Sequence, residues 1–197
     1  MTSRRVLLVP LIVAGTFLIG VFAYAALVCT SARALINSAS GIRSSADAER
    51  EIASWRKCLG CSFWENAATK DGDQTYDIHV DNAALTRLGI VRHTMLGVTI
   101  ALRDHELRYV TAVMFAGKNP SPTAGVWIQE WFSRSGANDL RVGAKDRPWK
   151  ATVEFPSAIP DAEREEAFAL NAGCLVRLGG CRSAEDILPP IWRLGAK

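Results

Sequence analysis

The tightest constraint on this chain is an uncharged run, VLLVPLIVAGTFLIGVFAYAALV, that begins at Val6 and ends at Val28. About 20 apolar residues in a helix cross the hydrocarbon core of a bilayer. A soluble core helix of this length would carry a polar face, and this one carries none. Pro10 falls in the first turns, where a missing amide costs least. Tyr24 falls near the far end, where an aromatic ring with a polar tip suits the membrane interface. The run predicts a lipid-embedded anchor. The chain then divides into 1–32 (cytoplasmic tip and span), 33–45 (a Ser- and Ala-rich stem or linker) and 46–197 (a folded domain). The rival is a cleaved signal peptide. MTSRR is a basic leader, and the AYA ending at Ala25 is a small-x-small cleavage site. The apolar run is longer than the usual signal core and continues past that site.

Orientation follows from the flanking charges. Arg4 and Arg5 precede the run, and Arg33 is the nearest charge after it. The positive-inside rule puts the N-terminus in the cytoplasm and residues 33–197 outside the cell membrane. Cleavage near Ala25 would secrete the same residues. The net charge of +3 does not argue for nucleic acid. Without Arg4 and Arg5 the basic residues nearly match the 20 acidic ones, and no block of five like charges exists. A phosphate-tracking surface needs clustered Lys and Arg.

Location decides how the cysteines read. Cys29 suits the membrane edge as a small apolar residue. Cys58, Cys61, Cys174 and Cys181 lie beyond it, and an even number in an oxidising compartment favours disulfides. In GCLVRLGGC, an unbroken helix would hold the Cα atoms of Cys174 and Cys181 about 10.5 Å apart. A disulfide needs roughly 4.4–6.8 Å. Gly179-Gly180 can stop the helix in a left-handed turn and bring Cys181 back. Cys58 and Cys61 then pair by elimination, although a cross-link such as Cys58 to Cys174 stays open. The Cys-x2-Cys spacing also occurs in thioredoxin-like redox sites, but there the motif precedes its helix, and here it follows one. Metal binding is disfavoured because no second close pair matches it.

The body reads as α+β. Ser44-x-x-Asp47 caps a helix over about 46–57, with Ala48, Ile52 and Trp55 on one stripe. TYDIHV, TMLGVTIALR, LRYVTAVMFA, GVWIQEWFSR and WKATVEF predict about five strands, with a short polar turn at Asp104 to Glu106. Short polar connections predict an antiparallel sheet. NAALTRLGI predicts a helical turn between the first two strands. A long helix starts at Pro160, with Asp161, Glu163, Glu165 and Glu166 at its positive end, and runs to the Gly pair. Ser183-x-x-Asp186 caps a short helix that Pro189-Pro190 ends. Ile191, Trp192 and Leu194 form an apolar tail expected to dock on the core. Helices at both ends of the sheet make a cystatin-like arrangement the nearest fold analogy.

Candidate site residues are few. Asp77, His79 and Asp81 alternate onto one strand face, where they are either the wet side of the strand or a ligand-facing cluster. Trp127 and Trp131 share a strand face, as core packing under helices or as a binding platform. His93 and His105 read as solvated. No nucleophile, metal or phosphate-loop motif is present, so no catalytic residue, metal or cofactor is assigned.

The C-terminal stretch over 167–192, AFALNAGCLVRLGGCRSAEDILPPIW, resembles a group of bacterial proteins with a single N-terminal span and a mixed helix-strand body. Their ending has the form Cys-Leu-x-x-x-Gly-Gly-Cys, then Leu-Pro and Trp. The resemblance implies an anchored domain and transfers no activity. The expectation is a non-enzymatic, membrane-anchored domain that binds a protein or small-molecule partner or supports an envelope assembly. The alternatives are a thiol–disulfide protein using Cys58 and Cys61, or a ligand-binding domain with a pocket between sheet and helix.

Overall fold

The computed structural model describes residues 3–66, 68, 72–118, 121–132, 141–143 and 150–190. The apolar run belongs to one helix, α1 (Ser3–Gly41), long and apolar enough to cross a membrane. Its two halves meet different surroundings. Leu11, Ile12, Val13, Phe17, Leu18, Ile19 and Phe22 are exposed, whereas Val28, Ala32, Leu35, Ile36 and Ala39 are buried. The second set recurs at helical spacing, so that half of α1 presents a stripe to the sheet. Residues 33–45 are therefore not a separate stem. They carry Leu35, Ile36, Ala39 and Ile42 into the core, and each of the larger side chains gains about 1.5–3 kcal/mol on burial.

Helix α2 (Ser45–Trp55) is capped as its sequence predicts, with the Ser44 hydroxyl accepting from the Asp47 amide. Its stripe of Ala48, Ile52 and Trp55 is buried. The Trp55 indole donates to Ser38 of α1 at 3.0 Å, and Ser38 donates to Glu51, which ties the two helices together.

The strands are β1 (Ser62–Asn66), β2 (Gln74–Asp81), β3 (Thr94–Arg103), β4 (Glu106–Lys118), β5 (Ser121–Trp131), β6 (Arg141–Gly143) and β7 (Lys150–Pro156). They form a seven-stranded open sheet in the order β1-β2-β3-β4-β5-β7-β6. All five expected strands are present. β1 is an exposed edge and β6 is three residues long, so neither carries a periodic signal. The sheet is antiparallel except for β5 and β7, which pair in parallel. The expectation of a wholly antiparallel sheet fails here for a topological reason. The chain passes from β5 to the edge strand β6 before returning as β7, and this longer path lets the strand come back in the same direction. At the β3–β4 turn, Asp104 and His105 both have left-handed backbones, with φ of 50° and 64°, the conformation of a two-residue hairpin loop.

Alternation puts Ile78, Val80, Val98, Ile100, Val110, Ala112, Met114, Val126, Ile128, Val153 and Phe155 on the face covered by helices. The expected long C-terminal helix is broken. α4 (Asp161–Ala167) ends early, and a 3-10 turn (Ala172–Leu175) follows. Asn171 redirects the chain: its side chain accepts from the Gly173 amide and donates to the Asp186 carbonyl, and its own amide donates to Ile187. Ala167, Phe168, Leu170, Ala172, Cys174 and Leu175 are all buried. No single face of a straight helix can bury such a dense set, so the break lets the core take it. The last helix, α5 (Ala184–Ile187), has the complete Ser183/Asp186 capping box. The tail residues Ile191, Trp192 and Leu194 lie outside the described residues.

Arg164 of α4 joins three elements. Its guanidinium grips Glu130 of β5 through contacts of 2.5, 2.8 and 2.9 Å, and it donates to the Ile42 carbonyl at 2.9 Å and to the Ala39 carbonyl at 3.4 Å. Both side chains are almost fully buried. A cation at the C-terminal end of α1 also meets the negative end of the helix dipole. Removing one partner would strand a buried charge. Arg164→Leu is expected to cost about 3–5 kcal/mol in denaturant unfolding in micelles, and Glu130→Leu/Arg164→Leu to recover most of that loss. A double variant no more stable than Arg164→Leu would show that the stranded carboxylate is not the source.

Candidate functional site

Among the described residues, the helices cover one face of the sheet and none covers the other. The cross-strand register places the site residues on that second face. His79 lies opposite Ser62 on one side and Gly97 on the other, Gly97 pairs with Val113, and Val113 pairs with Trp127. The next row runs Trp64, Asp77, Thr99, Thr111, Gln129 and Glu154. Trp131 pairs with Tyr109 in a third row. Asp77, His79, Asp81, Trp127 and Trp131 thus share a face, as the alternation predicts. They do not converge: His79 and Trp127 stand three strands apart, about 14 Å at the usual strand spacing.

His79 is the best-defined member. The Trp64 ring meets it edge-on at 4.8 Å, and Met95 Sδ lies 3.4 Å from Nδ1. Gly97 forms its floor. A Cβ there would come within 3.2 Å of Val113 and 3.7 Å of the imidazole. Burial pulls the His79 pKa below the usual imidazole value, against the opposing pull of Asp77 and Asp81. The two carboxylates are already engaged. Asp77 accepts from the Thr99 hydroxyl and the Asn66 amide, and Asp81 accepts from the Ala83 amide at 2.9 Å, where it starts α3 (Ala83–Arg87). Among the described residues no three His, Cys, Asp or Glu side chains gather to hold a metal.

The tryptophans are half-buried on this face and do not lie beneath the helices. Trp127 donates to Gln129 at 3.3 Å, and Trp131 meets Tyr109 edge-on at 5.3 Å. Together with Trp64, Met95, Val113 and Phe115 they make a broad, shallow surface of aromatic and sulfur-bearing side chains crossed by a polar row.

Both disulfides are those expected. Cys174 and Cys181 are bonded with Cα atoms 5.3 Å apart, and Cys58 and Cys61 with Cα atoms 5.5 Å apart. Gly179 and Gly180 have φ of 78° and 65°, the left-handed turn that the Gly pair was expected to supply. The Cys58–Cys61 bridge follows the C-terminal end of α2, where the helix dipole disfavours a thiolate.

A cleft of about 510 Å³ lies between α2 and the sheet, as the pocket alternative expects, but its lining residues were not foreseen from the sequence. It is lined by Glu49, Arg56, Gln74, Tyr76 and His105 among others. Burial, aided by Glu65, raises the Tyr76 pKa. None of His79, Trp127 and Trp131 lines this cleft, because they occupy the opposite face. Its lining comes from α2, β2, β3 and the connections between the strands, and no local pattern links them. No protein-family model, curated protein or solved structure matches the chain. Function is therefore read from the surfaces themselves.

The His79 environment has a pH signature. A folded-state pKa below the unfolded value means that the unfolded chain binds the proton better. The resulting stability is full above about pH 6.5 and declines as the pH falls below it. Proton titration by NMR should give His79 a pKa under 6.5, and Asp77→Asn should lower it further by removing a carboxylate that favours the imidazolium. An unchanged or higher value in Asp77→Asn would contradict this balance.

Proposed function

We propose that the chain is a membrane-anchored, non-enzymatic binding domain, and that the sheet face opposite the described helices engages a protein partner. The observation that carries this reading is the composition and shape of that face. Trp, Tyr and Met are enriched at the centres of protein interfaces, and here Trp64, Met95, Tyr109, Trp127 and Trp131 spread over a broad, shallow surface. Small-molecule sites are concave and enclosing, so this surface suits a protein better. In this reading α1 is the anchor, the N-terminus is cytoplasmic and residues 33–197 are extracytoplasmic. Arg4 and Arg5 ahead of the span support that orientation, as do two disulfides, which persist in oxidising compartments.

A second reading rests on the cleft beside α2. Its volume is that of a small-ligand site, and its Glu49, Arg56, Tyr76 and His105 offer both charges and a phenol. One experiment separates the two. A photocrosslinking residue is placed at Val113 on the open face, or at Ala53 on the cleft, in membranes of the native host. A discrete protein adduct from Val113 and none from Ala53 is the expected result. Adduct formation from Ala53 alone would transfer the binding role to the cleft.

A further inference from the structure

α1 leaves the domain at the end of the sheet where β2 stops and β3 starts. Three connections meet there: 57–61 between α2 and β1, 83–92 containing α3, and 176–182 after the 3-10 turn. Contacts hold them around α1 and against one another. The Ser31 hydroxyl donates to the Leu59 carbonyl at 3.3 Å, and Leu27 lies beside Gly60. Phe17, Val21 and Tyr24 face Ala84, Leu85 and Leu88 across a groove of about 250 Å³. The buried Asn82 amide donates to the Arg92 and Leu175 carbonyls, at 2.9 and 2.7 Å, and Gly180 packs on the Arg92 side chain.

The same three connections carry exposed leucines. Leu59 is 80% exposed, Leu178 76% and Leu88 52%. Each follows a cation closely, at Lys57, Arg177 and Arg87, and Arg92 and Arg182 add two more. No acidic residue occurs in any of the three connections. Two described carboxylates border them: Asp81 accepts from the Ala83 amide at 2.9 Å, and Asp186 accepts from the Arg182 amide at 2.8 Å and lies 3.7 Å from Arg177. Exposed apolar tips set among cations are the chemistry that binds an anionic lipid surface.

Length favours the contact. A hydrocarbon core of about 30 Å takes about 20 helical residues. Counted from Val6, that length extends to about Ala25, past the segment of α1 that faces α3. If α1 spans, the α3 connection lies beside lipid-level helix and cannot be held off on a stalk. We propose that this end of the domain is a bilayer-docking surface. Leu59, Leu88 and Leu178 enter the interfacial layer, and Lys57, Arg87, Arg92, Arg177 and Arg182 face anionic phospholipid headgroups. The inference rests on the anchor reading of α1. It also fixes how the open sheet face stands relative to the membrane.

The test uses the full chain, with Cys29→Ala, in nanodiscs of phosphatidylcholine with phosphatidylglycerol. Single spin labels are placed through Leu59→Cys, Leu88→Cys, Leu178→Cys, Ile12→Cys and His105→Cys, and both disulfides are verified by mass. Accessibility to oxygen and to a water-soluble nickel chelate reports depth. The Leu88 label should be several-fold less accessible to the chelate than the His105 label, with Leu59 and Leu178 also shielded and Ile12 deepest. A shielded Ile12 with Leu88 as accessible as His105 would overturn docking and leave the anchor standing. An accessible Ile12 would overturn both. Arg87→Glu/Arg92→Glu/Arg177→Glu should raise chelate access at Leu88 at least two-fold. No change in that variant would remove the anionic headgroup from the proposal.

Discussion

The fold depends on the way Arg164 holds the end of α1. A helix that runs into a domain core must stop somewhere, and its last carbonyls then need donors. Arg164 supplies them to Ala39 and Ile42, and Glu130 on the interior strand β5 balances the charge. The Phe168 ring lies 5.0 Å from the same guanidinium. A buried ion pair is seldom the most stable choice, since apolar residues of similar volume often do as well. What it adds here is position: the end of α1, the middle of the sheet and α4 are fixed to one another by groups that cannot slide without losing their partners.

With α1 fixed, the remaining connections organise around it. The Asn82 amide, fully buried, accepts from the Thr94 amide and the Thr86 hydroxyl and donates to Arg92 and Leu175. It joins the α3 connection to the start of β3 and to the 3-10 turn. The Cys174–Cys181 bridge then closes the loop after that turn, and the Cys58–Cys61 bridge closes the one after α2. Two covalent clips thus sit at the end of the domain where α1 emerges. The opposite consequence is that, among the described residues, helices cover only one side of the sheet, and His79, Trp64 and the β5 tryptophans lie on the other.

Local signals in the chain were easy to read. The charge-free run, the Ser44 and Ser183 caps, the Gly179-Gly180 turn and the five alternating strands each act within a few residues. The Gly turn made Cys174–Cys181 feasible and left Cys58–Cys61 by elimination, and the structure settles the pairing against a cross-link. The face shared by Asp77, His79, Asp81, Trp127 and Trp131 followed from a period of two along each strand, once the register aligned them. The long C-terminal helix was over-read, because the stripes through Phe168 and Leu170 looked like one broad helical face. Bonds from Asn171 to Asp186 and Ile187 split it, and the weak helix formers Asn171 and Gly173 are its one local mark.

The sequence alone determined that an apolar helix of bilayer length precedes an α+β domain with two short-range cysteine pairs, because hydropathy, alternation and turn chemistry are properties of neighbouring residues. Only the tertiary structure decided that the same helix enters the core, that β7 runs parallel to β5, and that Arg164 inside DAEREEA meets Glu130 rather than its acidic neighbours. It alone placed the cleft beside α2 and brought Leu59, Leu88 and Leu178 to the end from which α1 emerges. These arrangements join residues tens to more than a hundred positions apart, and no local pattern encodes which distant groups will meet.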